Sequence, residues 1–192
     1  ITIKIESIKP TEDGKGTLIS GHTEPNSPVE VIVPGHDTPL NVTSDENGLW
    51  TVAVEPALSE GNEVTAKTSN QDGTPIEDVA PLPFVSINPV AGDDIINKQE
   101  LSDLTDEDGL VMITGTVSNP AADMTVTFNG TVYSGDQVTV STDGTWSIKV
   151  PAETITANNE ITAEAILTTE DGLVIESNTA ERPVTKDTDV PQ

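Results

Sequence analysis

The sequence predicts an all-β protein built from two antiparallel β-sandwiches joined end to end. Apolar and polar residues alternate in short runs, as where Trp146, Ile148 and Val150 alternate with Ser147 and Lys149. Turn signals such as Asp-Gly, Asn-Gly and Asn-Pro separate these runs about every eight to twelve residues, a spacing typical of sandwiches. The third observation is an internal repeat, which predicts two units of the same construction.

The repeat is clearest around the two tryptophans of the chain. Residues 43–56 read TSDENGLWTVAVEP and residues 141–151 read STDGTWSIKVP, so each tryptophan follows a turn and opens an alternating run that ends in proline. Residues 16–33 match residues 109–128 in the same way, with Gly21 aligned to Gly115. We therefore expect Trp50 and Trp146 to fill the space between the two sheets of their units.

The boundary between the repeats is predicted near Pro81 and Pro83, because proline lacks a backbone donor and stiffens linkers. This gives one sandwich at residues 1–80 and a second at 81–192, each of about seven strands. A helical turn is predicted only at residues 91–101. The strands predicted for the second unit lie near residues 84–88, 110–117, 124–128, 138–141, 145–150, 160–168 and 173–180.

Composition excludes several classes of partner. The chain has 33 acidic and 8 basic residues, giving a net charge of −25. Such a field repels nucleic acid and anionic lipid and attracts cations. There is no cysteine, so disulfides do not stabilise the domains. No apolar run approaches the roughly 18 residues of a membrane span, so we expect no membrane insertion.

The acidic residues are concentrated between the first two strands of the second unit, at residues 89–109. A folded loop with this spacing can aim several oxygens at one point, and Ca²⁺ takes six to eight oxygen ligands. Zinc and copper are not expected, since no histidine or cysteine lies nearby. Mg²⁺ is an alternative to Ca²⁺, although it demands tighter geometry and usually keeps more waters. The alternative is a solvated acidic loop that maintains solubility. The candidate ligands in this segment are Asp93, Asp94, Asn97, Glu100, Asp106 and Asp108.

Further candidates are predicted from the alternating direction of sandwich strands. The last strand would leave the second unit at the same end as the 89–109 loop, which brings the exit linker with Asp187 and Asp189 towards it. Weaker candidates at other loops and at the junction between the repeats are Asp78, Asp123, Asp143 and Asp171.

The second unit resembles the immunoglobulin-like extender repeats of giant repeats-in-toxin adhesins of Gram-negative bacteria. The resemblance is carried by VSINPVAGDDIINKQE, VMITGTV, VTVSTDGTWSIKVPAETI, NNEITAEAILTTEDG and VTKDTDVPQ, and the first unit is similar but looser. It implies a protein exported by type I secretion to the bacterial surface, where the repeats hold a ligand-binding tip away from the cell. It also implies Ca²⁺ at domain junctions, on Asp93, Asp94, Asp187 and Asp189, and neighbouring repeats of the same chain as partners in a monomeric rod.

Other functions find less support in the sequence. His22 and His36 are the two histidines; neighbouring side chains on an extended chain point in opposite directions, so His36 and Asp37 form no dyad. We therefore expect no enzyme and no dedicated small-molecule substrate. The alternative is a Ca²⁺-dependent carbohydrate- or protein-binding module, for which Tyr133 is the aromatic residue without a predicted core position. A glycan array would separate this alternative from a spacer.

Overall fold

The structure is a computed structural model that describes residues 2–58, 63–170 and 172–187. It confirms an all-β sandwich architecture, with short strands paired mainly antiparallel. The chain divides into two compact units: unit 1 comprises residues 1–84 and 166–178, and unit 2 comprises residues 85–165 and 179–192. This division assigns residues 166–178, which the sequence places in the second repeat, to unit 1.

Unit 1 consists of two facing sheets. One sheet has the order β1, β2, β5 and the other the order β4, β3, β6, β7. Every pairing among these strands is antiparallel, as the alternation of buried and exposed residues predicts. The strands are β1 (Lys4–Pro10), β2 (Thr17–His22), β3 (Pro28–Ile32), β4 (Leu40–Thr43), β5 (Leu49–Val54), β6 (Glu63–Ser69) and β7 (Pro75–Pro81).

Unit 2 repeats this pairing scheme and adds elements to it. One sheet has the order β13, β14, β10, β8, and the other contains β12, β11, β15, β17 and β9 in that order. The elements are β8 (Val85–Ile87), β9 (Ile95–Asn97), helix α1 (Lys98–Leu104), β10 (Leu110–Val117), β11 (Asp123–Phe128), β12 (Thr131–Ser134), β13 (Thr139–Val140), β14 (Thr145–Pro151), β15 (Asn158–Thr168), β16 (Val174–Glu176) and β17 (Ala180–Asp187), with 3₁₀ turns at Val90–Gly92, Gly135–Gln137 and Ala152–Thr154.

The short strand β16 belongs to unit 1, where it pairs in parallel with β1. The last residues of β15 continue into unit 1 and pair with β16, through Ile166 opposite Glu176 and Leu167 opposite Ile175. The prediction of a single last strand at 173–180 is therefore wrong. The last strand is β17, part of which was predicted to belong to the exit linker; its Pro183 lies opposite Glu160 on β15.

Two other local predictions differ from the structure. The predicted helical turn at 91–101 is divided into a 3₁₀ turn, strand β9 and helix α1, which begins at Lys98 behind an Asn97 cap. The strand β12 was not predicted, because Thr131–Ser134 is largely exposed and lacks an apolar face. Within the described residues, no helix is long and apolar enough to cross a membrane.

Each unit is closed by a tryptophan that packs against a glycine. Trp50 and Trp146 are buried to within 1% of full burial, as predicted. Trp50 lies opposite Gly21 across β2 and β5, and Trp146 lies opposite Gly115 across β10 and β14. A Cβ atom on either glycine would overlap the tryptophan ring and a neighbouring main-chain carbonyl. The glycine of each repeat thus leaves the space that the tryptophan of the same repeat fills.

The two tryptophans differ in their polar contact. The Trp146 indole N–H donates to the main-chain carbonyl of Ser86 at 3.1 Å. The Trp50 indole N–H is buried with no hydrogen-bond partner. Replacing Trp50 by phenylalanine therefore removes no hydrogen bond, and such a variant leaves Trp146 as a fluorescent reporter of unit 2 alone.

We expect Gly115→Ala in the Trp50→Phe background to lower the free energy of unfolding of unit 2 by about 2–3 kcal/mol, because the added methyl group overpacks the Trp146 site. Urea unfolding followed by Trp146 fluorescence measures this change. Ser147→Ala, a neighbouring change on the outward side of β14, is the matched control and should shift the midpoint little. Equal midpoints for Gly115→Ala and Ser147→Ala would contradict the proposed packing.

Candidate functional site

The acidic segment at residues 89–109 begins with a closed turn. The Asp94 amide donates to the Val90 carbonyl at 2.8 Å, and the Val90 amide donates to Asp94 Oδ1 at 2.9 Å. Asp94 has φ of +63°, a conformation that aspartate adopts more readily than most residues. The neighbouring Asp93 accepts a hydrogen bond from the Ile95 amide at 3.0 Å. Both predicted ligands therefore stabilise the backbone of their own turn.

The Asp94 carboxylate also forms an ion pair with Arg182 on β17. Asp94 Oδ2 accepts a hydrogen bond from the Arg182 guanidinium, and the two side chains are 27% and 30% exposed. The Asp94 main-chain carbonyl accepts from the Thr185 amide at 2.9 Å. The predicted metal ligand Asp94 thus already has a cationic partner within the protein.

Asn97 and Glu100 form the N-terminal cap of α1. The Glu100 amide donates to Asn97 Oδ1 at 2.8 Å, and the Asn97 amide donates to Glu100 Oε1 at 3.1 Å, a capping box. Asp187 is the register partner of Asn97 in the parallel pairing of β17 with β9. The structure therefore brings three predicted ligands, Asn97, Glu100 and Asp187, to one edge of unit 2.

Asp106 closes the turn that leads into β10. Its Oδ1 accepts from the amides of Asp108 and Leu110, each at 2.9 Å, and its Oδ2 lies 3.5 Å from Lys149 Nζ. Asp108 occupies the turn itself and contributes its amide. The role of these two predicted ligands differs from that of the residues at the β9 edge, because Asp106 holds a hairpin turn and does not face the exit strand.

The turn at Asp106 is one of six loops in the described chain that share the same hydrogen bonding. In each, a glycine amide donates to the carbonyl three residues earlier at 2.9–3.0 Å, and the glycine has φ between +72° and +89°. Positive φ favours glycine, and the first residue always has a side-chain oxygen. The first residues are Thr11, Asp45, Asn70, Asp106, Ser141 and Thr169, with glycines at 14, 48, 73, 109, 144 and 172.

Much of the negative charge therefore lies in hairpin turns of one type. Asp45, for which no metal was predicted, accepts from the amides two and four residues on, as Asp106 does. The spacing Asp-x-x-Gly at residues 45–48 and 106–109 is visible in the sequence and was the signal for this role. It was missed because the second instance stands within the acidic run.

Hydrogen bonds lower the pKa of three turn carboxyl groups below the ordinary aspartate value. The pKa of Asp13 is lowered first by the Thr11 hydroxyl, at 2.6 Å, and then by the Lys15 amide. The pKa of Asp72 is lowered chiefly by the Thr74 amide, and that of Asp106 chiefly by the Leu110 amide. These donors favour the charged form.

The weaker candidates are dispersed. Asp78 accepts from the Ile5 amide at 2.8 Å within unit 1, Asp143 accepts from the Thr145 amide at 3.0 Å, and Asp123 opens β11 on an exposed position. Asp171 and Asp189 lie outside the described residues.

The candidate ligands of residues 89–109 are not equally suited to calcium. The predicted donors are all oxygens, which suits a hard cation. The arrangement at Asp94 does not suit one, because the Arg182 guanidinium is already bound to this carboxylate. Across residues 2–58, 63–170 and 172–187, no group of three or more carboxylate or imidazole side chains is placed to hold a metal ion.

Unit 2 also has an open groove beside Tyr133. The groove has a volume of about 460 Å³, and Tyr133 is partly exposed in it. Met112, which lines the groove, is 51% exposed and is the register partner of Lys149. The lining residues are Met112, Tyr133, Gln137, Thr139, Ser147, Ile148 and Lys149. The structure thus leaves the sequence's unassigned tyrosine at the surface.

Comparison with protein families gives a result for the first repeat. Residues 9–78 match the family model of the bacterial Ig domain. This stretch runs from β1 to β7 and so takes in the strands of both sheets of unit 1. It agrees with the immunoglobulin-like sandwich that the resemblance implied. No curated protein matches the chain.

Several solved structures are similar to the chain at low identity. One is from a 1.5-MDa bacterial ice-binding adhesin, with 20% identity over 98% of this chain and 65% of that one, and a TM-score of 0.43. Another is from a Ca²⁺-stabilized, ice-binding adhesin of an Antarctic bacterium, with 20% identity over 97% of this chain and 49% of that one, and a TM-score of 0.41.

A third is a bacterial immunoglobulin-like domain of the M. primoryensis ice-binding adhesin. It has 25% identity over 56% of this chain and 100% of that one, and a TM-score of 0.41. The chain therefore spans 65% and 49% of the first two structures and, over about half of its own length, the whole of the third.

We expect the carboxyl groups of Asp13, Asp72 and Asp106 to titrate below the ordinary aspartate pKa of about 3.9. Because the folded pKa is lowered, their contribution to stability is complete above the unfolded pKa and is lost as the pH falls through the folded pKa. Carbonyl ¹³C NMR during an acid titration measures each group. Thr11→Val removes the first donor to Asp13 and should raise the Asp13 pKa alone; an unchanged Asp13 titration would contradict the assignment.

Proposed function

We propose that the chain is a structural extender segment of a large bacterial surface adhesin. The observation that carries the proposal is the repetition of one sandwich design, in which a buried tryptophan packs on a cross-strand glycine in both units. The match of residues 9–78 to the bacterial Ig domain supports it. In this role the repeats at 1–80 and 81–192 act as spacers that separate a ligand-binding tip from the cell.

The proposed setting follows from this role. The partners are neighbouring repeats of the same chain, which together form a monomeric rod outside the cell, reached by type I secretion. The dense negative charge suits such a rod, because like-charged modules resist self-association. The absence of cysteine in the sequence means that stability comes from packing and turns instead of disulfides.

We further propose a calcium site at the exit edge of unit 2, held by Asn97, Glu100, Asp187 and Asp189. The register pairing of Asp187 with Asn97, beside the cap formed by Glu100, supports the first three residues of this set. Asp189 is included from the sequence alone. Bound there, the ion would offset the negative charge of these carboxylates and would fix the exit segment. Ligation by Asp93, Asp94, Asp106, Asp108, Asp78, Asp123, Asp143 or Asp171 stays a prediction, and at Asp94 it would require displacement of Arg182.

We expect millimolar calcium to raise the melting temperature of unit 2 and to narrow the distribution of particle lengths in small-angle scattering. Binding to the folded state alone stabilises it by about 4 kcal/mol when the free ion is a thousandfold above its Kd. The double variant Asp187→Asn with Asp189→Asn should remove most of this gain. Glu164→Gln, which removes one exposed charge on β15, is the control and should retain it.

Identical melting and scattering in chelator and in calcium would reject the calcium site. The extender role has its own test in the same scattering data, since it requires an elongated monomer. A compact or concentration-dependent particle would reject that role whatever the calcium result.

A further inference from the structure

Arg182 is the single arginine of a chain with 33 acidic residues. It lies on β17, opposite Ile161 of β15, and its side chain is 30% exposed. Arginine remains charged at all ordinary pH values and presents several donors in a planar fork. Arg182 therefore places a permanent positive charge on β17, the last strand of unit 2.

The Arg182 side chain joins β17 to two earlier parts of unit 2. Its Nε donates to the main-chain carbonyl of Ile87 at 2.8 Å, at the end of β8. Its guanidinium also donates to Asp94 Oδ2 in the turn that follows. One side chain thus holds together β8, the 90–94 turn and β17, across sequence separations of 95 and 88 residues.

These two partners, a carboxylate and a main-chain carbonyl, are the ligand types that Ca²⁺ takes in proteins. We propose that Arg182 is the resident cation of this junction and occupies the place that a calcium ion would otherwise take, so that β17 is attached to the 90–94 turn without metal. The inference goes beyond the extender role and does not depend on it. It concerns a position different from the proposed exit-edge site.

The polar atoms of Asp94 are already used in this arrangement. Asp94 Oδ1 accepts from the Val90 amide, and the Asp94 amide donates to the Val90 carbonyl. The Asp94 carbonyl accepts from the Thr185 amide, and Oδ2 accepts from Arg182. A metal ion at Asp94 would displace a guanidinium that also satisfies the Ile87 carbonyl. The Arg182–Asp94 hydrogen bond is charge-assisted, and such bonds are about twice as strong as neutral ones. Arg182 is also part of the chain, so its guanidinium stays beside Asp94, whereas a calcium ion must bind from solution.

The test uses the full chain in the Trp50→Phe background, so that Trp146 reports unit 2. The variants are Arg182→Met, Arg182→Lys, Asp94→Asn and the double variant Arg182→Met with Asp94→Asn. Lys149→Met is the matched control, because it removes one positive charge from an exposed ion pair with Asp106 at 3.5 Å, and such pairs contribute little. Melting is measured in chelator and in millimolar calcium.

In chelator, Arg182→Met should lower the melting temperature by at least about 4 °C, clearly more than Lys149→Met. Arg182→Lys keeps the charge but not the two-point fork, so it should restore only part of the loss. The double variant should lose less than the sum of its two single variants, because the groups interact directly. These results would support the proposal.

The wild-type protein provides a direct signal, since its one arginine gives a single Nε–H resonance by NMR. The resonance should be visible in chelator and should keep its position when millimolar calcium is added. Equal melting of Arg182→Met and Lys149→Met would overturn the proposal. So would a saturable calcium-induced shift of the Nε–H resonance, which would show that the ion competes for Asp94.

The two metal questions give different readouts. Loss of the calcium gain in Asp187→Asn with Asp189→Asn concerns the exit edge, and the Arg182 resonance concerns the 90–94 turn. Failure of the calcium site would leave an Arg182 result in chelator intact, and a calcium shift at Arg182 would overturn this inference even if the exit-edge site were present.

Discussion

The packing of a tryptophan against a cross-strand glycine is the constraint on which both units depend. Trp50 and Trp146 are the largest side chains between their sheets, and Gly21 and Gly115 leave the space that their rings occupy. Because few other aromatic residues are available to either core, the remaining interior is filled mainly by Val, Ile, Leu and Ala around this pair. A side chain at either glycine would overlap the tryptophan ring and a main-chain carbonyl of the neighbouring strand, Lys4 on β1 or Ser86 on β8. The repetition of the phrase in the sequence is therefore the repetition of a packing requirement.

Acidic residues serve a second structural purpose, which is to close turns. A carboxylate that accepts two backbone amides, as Asp45 and Asp106 do, satisfies donors that a tight hairpin leaves unpaired. This use gives part of the negative charge a structural role within the backbone turns. At Asp94 the same principle extends across the unit, where Arg182 neutralises the carboxylate and joins the 90–94 turn to β17.

The fold was largely predictable, because the alternation of apolar and polar residues and the turn signals are local, and because Trp50 and Trp146 mark the core of each unit. The strand β17 was not, since Pro183 and its charged neighbours resemble a linker, and its stability comes from pairing with β15 and β9. The candidate site was only partly predictable. Sequence spacing named Asn97 and Glu100 as candidates, and strand direction added Asp187, which pairs in register with Asn97. No local pattern could reveal the contact between Asp94 and Arg182, which lie 88 residues apart. Counting the basic residues would have pointed to this contact, because a single arginine among 33 acidic residues is expected to pair with a carboxylate.

The proposed extender role requires that strand β17 stay attached to unit 2. Strand β17 is held to unit 2 by contacts within the protein. The Arg182 guanidinium donates to Asp94, and the amides of Thr185 and Lys186 donate to the main-chain carbonyls of Asp94 and Ala157 at 2.9 Å. Hydrogen exchange of these two amides in the presence of chelator tests this most directly. Protection comparable with that of the β15 amides is the predicted result. Rapid exchange that slows only when calcium is added would contradict the account.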